Sequence, residues 1–132
     1  MHEKEIEIRW RDLDAYGHVN NAVYLTYLEE VRDEWLEHTL DSHDAAWDYV
    51  IARIAIDFRR ELTQNDDRAR ARCTLARVGN SSLTTREELF VGEELAAEAE
   101  VVLVARDRQT GRSRPLSERE RAALSRELQS PA

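Results

Sequence analysis

The sequence contains one cysteine, one lysine and no apolar run long enough to cross a membrane. The lone cysteine, Cys73, excludes an internal disulfide framework and a multi-cysteine metal centre. In its strand-like setting it reads as a small buried hydrophobe of a protein kept in a reducing compartment. The N-terminus, MHEKEIEIRW, is charged rather than signal-like, so a cytoplasmic location is expected. A basic surplus is also missing: 19 Lys+Arg face 27 Asp+Glu, for a net charge of −8. That balance argues against nucleic acid or an anionic membrane as the main partner, because phosphate backbones need a broad basic surface. A small anionic ligand needs only a local basic spot. Gly-rich phosphate loops, a Ser/His/Asp arrangement, internal repeats and low-complexity segments are all absent. Lys4 is the only lysine, so 18 of the 19 basic residues are arginine, a bias that carries no function by itself.

What remains is 132 residues, 42% hydrophobic and 35% charged, the size of one domain spanning 1–132 with one core. A folded chain of this length buries on the order of two-thirds of its unfolded surface, enough to need no staples. The apolar residues are clustered rather than diluted, which argues against disorder.

Ile6 to Trp10 alternates apolar and charged residues as a half-buried strand does. A polar stretch follows, and then Tyr24, Tyr27, Leu28, Val31 and Trp35 recur at helical spacing, predicting an amphipathic helix over 22–38 capped by Asn20 or Asn21. The segment 38–48 reads as a loop or short helical turn. Strands are then expected at 50–60, 68–78, 83–91 and 95–106, separated by turn signals at 63–67, 79–82, 92–94 and 107–111. A short extended piece at 112–114 precedes a last helix opened by Pro115 and by Ser117 and Glu120, spaced as a capping box, with 129–132 fraying. The order predicts an α+β domain in which an antiparallel sheet wraps one long helix. Its open edges would need cover, and a second copy is one way to supply it.

The loop from Asp12 to Asn21 is the most polar stretch between two apolar elements, and it enters a helix N-terminus. Free backbone N–H groups there stabilise an anion or oxyanion. Gly17 permits a tight turn or close ligand approach, and a carboxylate such as Asp14 held near those donors has the chemistry of a nucleophile or general base. The same residues are ordinary turn and cap formers, so composition alone leaves the loop structural or catalytic. Asp12, Asp14 and His18 lack a further ligand for a metal, and neither metal nor cofactor is expected. His2, His38 and His43 read as solvated.

Asp12-Leu13-Asp14-Ala15-Tyr16-Gly17-His18-Val19-Asn20-Asn21-Ala22-Val23-Tyr24 resembles the D-x-D-x-x-G-H-V-N-N-x-x-Y signature of hotdog-fold thioesterases of the 4-hydroxybenzoyl-CoA thioesterase-like family. Plant acyl-carrier-protein thioesterases share much of this string, and Leu28-Glu29-Glu30-Val31-Arg32 continues the likeness. The resemblance implies the hotdog fold, a curved antiparallel sheet around a central helix. It places the catalytic carboxylate on Asp14 and the oxyanion-binding backbone N–H at or beside Asn21. In the carrier-protein branch an Asn and a His follow the Asp; the His matches His18, but Tyr16 stands at the Asn position. Another bacterial branch carries a His where this chain has Asn21.

The implied reaction is hydrolysis of an acyl-CoA or acyl-carrier-protein thioester to acid and thiol, with Asp14 and His18 as catalytic residues. Gly17, Asn20, Asn21, Arg59 and Arg60 would contact substrate. Arg68, Arg70 and Arg72 are further candidates for the anionic end of CoA, although a solvated or salt-bridged strand face is the ordinary use of such arginines. The family's acyl slot lies between subunits, which implies a homodimer or homotetramer. Two rivals share the fold: a non-catalytic acyl-CoA binding or sensing protein, and a hydratase or dehydratase, which would need a different acid/base pair on the helix.

Overall fold

A computed structural model describes residues 1–129, the last by its backbone; the rest of the stretch expected to fray lies outside the described residues. Five strands form one antiparallel sheet: β1 (His2–Glu7), β2 (Tyr49–Phe58), β3 (Arg68–Val78), β4 (Ser82–Val91) and β5 (Glu94–Ala105), in the order β1-β3-β4-β5-β2. Helix α1 (Asn21–Leu40) lies on the concave face and α2 (Glu118–Gln129) closes the far end of the core. This is the hotdog architecture that the motif implied.

The sheet and helix fit because bulk is divided between them. Helix α1 contributes Tyr24, Tyr27, Leu28, Val31 and Trp35, all buried, while the facing strand β3 offers Ala69, Ala71 and Cys73. Small side chains on a curved sheet let a helix bearing large ones approach closely. Burial pushes the Cys73 thiol well up, with the Glu87 charge adding to it, so the cysteine is an inert core residue.

Element ends differ from expectation for local reasons. The first strand runs over His2–Glu7 rather than 6–10, paired with the arginine-rich β3. Ile8 makes a last bond to the Asp67 carbonyl (2.8 Å), after which Asp12 accepts from the Arg9 amide (3.0 Å) and bends Trp10–Asp12 into a 3-10 turn. Helix α1 runs to Leu40 because Asp41 adopts a left-handed conformation (φ 49°) and returns its N–H to the Glu37 carbonyl. The 38–48 segment therefore splits into a last helical turn and a 3-10 turn at Ala45–Asp48. The piece at 112–114 is only an isolated bridge, Ser113 to Arg106.

The capping box at the start of α2 forms: Ser117 Oγ accepts from the Glu120 amide (3.1 Å) and Glu120 Oε1 from the Ser117 amide (2.8 Å). Burial alone would raise the Glu120 carboxyl, but Arg114, the Ser117 amide and the Tyr49 hydroxyl together hold it at about 2.

Strand β2 is an edge, and α1 packs over β1, β3 and β4 instead. A bulge between Ile51 and Arg53 puts Ile51, Ile54 and Phe58 on one face, opposite the buried Leu103, Val101 and Ala97 of β5. Those three side chains belong to the concave face, yet they stay 36–46% exposed. The protomer thus leaves one apolar flank of its concave face uncovered.

Candidate active site at the loop entering the central helix

The polar loop closes on itself. Leu13 and Val19 form a bridge, the Asp14 amide donates to the His18 carbonyl (2.7 Å), and the Gly17 amide donates back to the Asp14 carbonyl (3.2 Å). Gly17 sits at φ +82°, where a side chain would be strained, which is why the turn takes glycine. Half-buried Asp14 holds the turn with one oxygen: Oδ1 accepts from the amides of Tyr16 (2.8 Å) and His18 (3.3 Å).

Two structural fastenings fix this loop to the domain. Asp12 is buried and accepts from the Tyr27 hydroxyl on α1 (2.6 Å) and the Arg9 amide, with the Arg9 guanidinium at 3.6 Å. Burial would raise its carboxyl, but those partners outweigh it and hold it below the ordinary value. The Tyr27 phenol is pushed well up by burial and by the Asp12 charge, so it stays a neutral donor. The second fastening is the 59–66 segment alongside. Val19 donates to the Leu62 carbonyl (2.8 Å), and the Tyr24 hydroxyl bridges the Arg60 carbonyl (2.9 Å) and the Leu62 amide (3.0 Å).

At the helix start, Asn20 is the N-cap. Its side chain accepts from the Ala22 amide (2.9 Å) and its carbonyl from the Val23 amide (2.8 Å). Neither group engages the amide of Asn21, the first residue of α1. The junction therefore carries a held carboxylate and, a few residues on, a helix N-terminal donor, two groups that acyl transfer can use.

The structure brings Asp14, Gly17, His18, Asn20 and Asn21 together on one loop–helix junction. His18 Nε2 lies 3.2 Å from Glu61 Oε2, on the neighbouring segment. Arg59 and Arg60 lie on that segment too, beside carboxylates. Arg59 is near Glu98 (3.5 Å) and Asp57 (3.7 Å). Arg60 grips Asp66 with both Nη atoms (3.1 and 3.0 Å), and its Nε meets Glu94 at 2.8 Å. Arg68, Arg70 and Arg72 on β3 face Glu5 and Glu3, with Arg70 and Arg72 about the Phe90 ring. Among the described residues no group of three or more His, Cys, Asp or Glu side chains could hold a metal ion.

The sequence profile of the thioesterase-like superfamily matches residues 8–124. The chain belongs to this superfamily. Its fold superposes with a TM-score of 0.89 and 30% identity on a Thermus thermophilus thioesterase crystallised with coenzyme A and zinc, covering 99% of this chain and 96% of that one. The long-chain acyl-CoA thioesterase FadM of Escherichia coli is 38% identical over 69 residues, 48% of this chain. That match spans about half (51%) of the relative's length. An acyl-acyl carrier protein thioesterase of Arabidopsis thaliana is 49% identical over 37 residues, 28% of this chain and 20% of that protein. No helix among the described residues is long and apolar enough to cross a membrane.

The Asp12–Tyr27–Arg9 cluster escapes a reading of the sequence alone. Its one signal is that Tyr27, on the apolar stripe of α1, brings a hydroxyl into the core that must find a partner.

Proposed function

We propose that this superfamily member hydrolyses an acyl-CoA thioester to a carboxylic acid and a free thiol, with Asp14 as the reacting carboxylate. The observation that carries the reading is the geometry of Asp14: Oδ1 is bound by two loop amides while Oδ2 takes neither bond, shortly before a capped helix whose first amide is unclaimed by the cap. In one route Oδ2 attacks the carbonyl carbon, the C–S bond breaks to release the thiolate, and water hydrolyses the mixed anhydride. In the other, Asp14 takes a proton from the attacking water, and that proton leaves with the thiol. Both routes place negative charge on the carbonyl oxygen, where the Asn21 amide donates, a contact of about 3 kcal/mol. His18 and Asn20 act as positioning residues for the loop. Release of free thiol from a panel of short, long and aromatic acyl-CoAs tests the reaction; tight acyl-CoA binding with no turnover across the panel would replace it with a sensing role.

The working unit is a homodimer in this reading. The support is the uncovered concave flank of β2, where Ile51, Ile54 and Phe58 lie exposed and Phe58 meets Tyr24 edge-on at 5.1 Å beside the helix start. A second copy would cover that flank and wall the acyl slot. Analytical ultracentrifugation at micromolar concentration is expected to return twice the 15.4 kDa protomer mass or a multiple of it. A monomer overturns the assembly.

A further inference from the structure

Trp10 and Arg11 stand next to the candidate site, and their side chains make no hydrogen bond or ion pair among the described residues. They are the outward residues of the 3-10 turn whose third member, Asp12, is buried. Trp10 is 81% exposed, whereas Trp35 is fully buried in the core. Arg11 is exposed and has no hydrogen-bond or ion-pair partner among the described residues. The arginines around it are different. Arg9 reaches Asp12, and Arg59, Arg60, Arg68, Arg70 and Arg72 each face at least one carboxylate. In a chain of net charge −8, an unclaimed guanidinium beside the reacting loop is a local basic spot that an anionic ligand can use.

The turn is also rigid. Asp12 ties it to Tyr27 of α1 and to the Arg9 amide, and its carbonyl accepts from the Asn20 amide at 3.0 Å. A backbone held this way leaves only the two side chains to be ordered when a ligand binds. Arg11 precedes Asp14 by three residues, at most about 11 Å between Cα atoms. An extended arginine side chain adds roughly 7 Å to that limit, which keeps the guanidinium within the reach of a pantetheine arm from Asp14.

The geometry points to a subsite at Trp10 and Arg11 for the nucleotide end of a CoA thioester, with the adenine stacked on the indole and a phosphate held by the guanidinium. This assignment rests on the proposed acyl-CoA hydrolysis and says where the anionic end of that substrate docks.

The test compares one acyl group carried on CoA and on pantetheine, which lacks the nucleotide. Trp10→Ala and Arg11→Gln are each expected to raise KM for the acyl-CoA about tenfold, with kcat within about twofold and acyl-pantetheine kinetics unchanged. Arg112→Gln removes the same charge beyond Ala105, at the opposite end of β5 from the site, and is expected to leave KM unchanged. Equal losses on both substrates would mean that the residues support the fold or an interface. No loss on either would place the nucleotide elsewhere, and an equal effect of Arg112→Gln would reduce the role to the general field. A rise in KM confined to an acyl-carrier protein would give the turn to a protein partner. Each of these outcomes overturns the subsite. If the wild type hydrolyses no thioester of the acyl panel on either carrier, the proposed reaction itself fails. Calorimetric titration with adenosine 3′,5′-bisphosphate then still reads the subsite: binding by the wild type that Arg11→Gln weakens about tenfold supports it, and equal or absent binding overturns it.

Discussion

Asp14→Asn is expected to lower kcat for acyl-CoA hydrolysis by about 10²- to 10⁴-fold while the protein stays folded and KM changes little, as removal of a general base or nucleophile does. The substitution is close to isosteric. Its side-chain oxygen still accepts from the amides of Tyr16 and His18, so the turn around Gly17 keeps its two closing bonds. What is lost is the negative charge and the basicity of the second oxygen, which either proposed route needs. Thiol release under saturating substrate reads the effect, and the thermal melting temperature checks the fold. An unchanged kcat keeps the superfamily chemistry and removes Asp14 from it. Asp12→Asn makes the contrasting case within the same D-x-D pair. Its carboxylate faces Tyr27 rather than the site, so loss of that charge loosens the loop's fastening without touching the reacting atoms.

That contrast marks where the sequence stops being informative. Periods of 2 and 3.6 residues place β3, β4, β5 and α1 within about two residues, since each element buries one face over most of its length. The ends depend on single local events, such as the left-handed Asp41 or the Asp12 carboxylate on the Arg9 amide, that no period encodes. Within the site, the reacting loop is legible because Asp, Gly, His and Asn crowd into ten positions before a helix. Which of two aspartates points inward is not, because Asp12 is turned by a hydroxyl 15 residues later on α1. The arginines are least legible. Arg59 and Arg60 read as cations beside the site, and only the folded chain shows Glu98, Asp66 and Glu94 next to them. Arg11, which has no such neighbour, carries nothing in its local sequence to set it apart.

Arg32→Met is expected to destabilise the protein by about 3–5 kcal/mol at neutral pH, the cost of leaving one member of a buried ion pair behind. Arg32 lies on the buried side of α1, and its Nη1 donates to Glu87 Oε1 at 2.9 Å; both side chains are buried. Glu87 stands on the inward face of β4 with Leu83, Thr85 and Leu89, and its other oxygen accepts from Thr85 Oγ1 at 2.7 Å. Burial pushes the Glu87 carboxyl up, and Arg32 is the largest influence opposing that rise. Without the arginine the carboxyl rises further, so the folded state binds a proton that the unfolded chain releases. A carboxyl raised on folding favours the fold below its unfolded pKa and penalises it as pH rises through the folded value. The loss in Arg32→Met is therefore larger at pH 7.5 than at pH 5. Replacing the second partner as well, in Arg32→Met/Glu87→Gln, removes the orphaned charge and recovers most of the stability. The introduced glutamine amide keeps an acceptor for Thr85, and a neutral amide costs less to bury than a carboxylate. Urea denaturation at both pH values measures all three proteins. A single variant that loses less than about 1 kcal/mol, or a double variant no more stable than the single, shows that this pair is solvated and adds little to the fold.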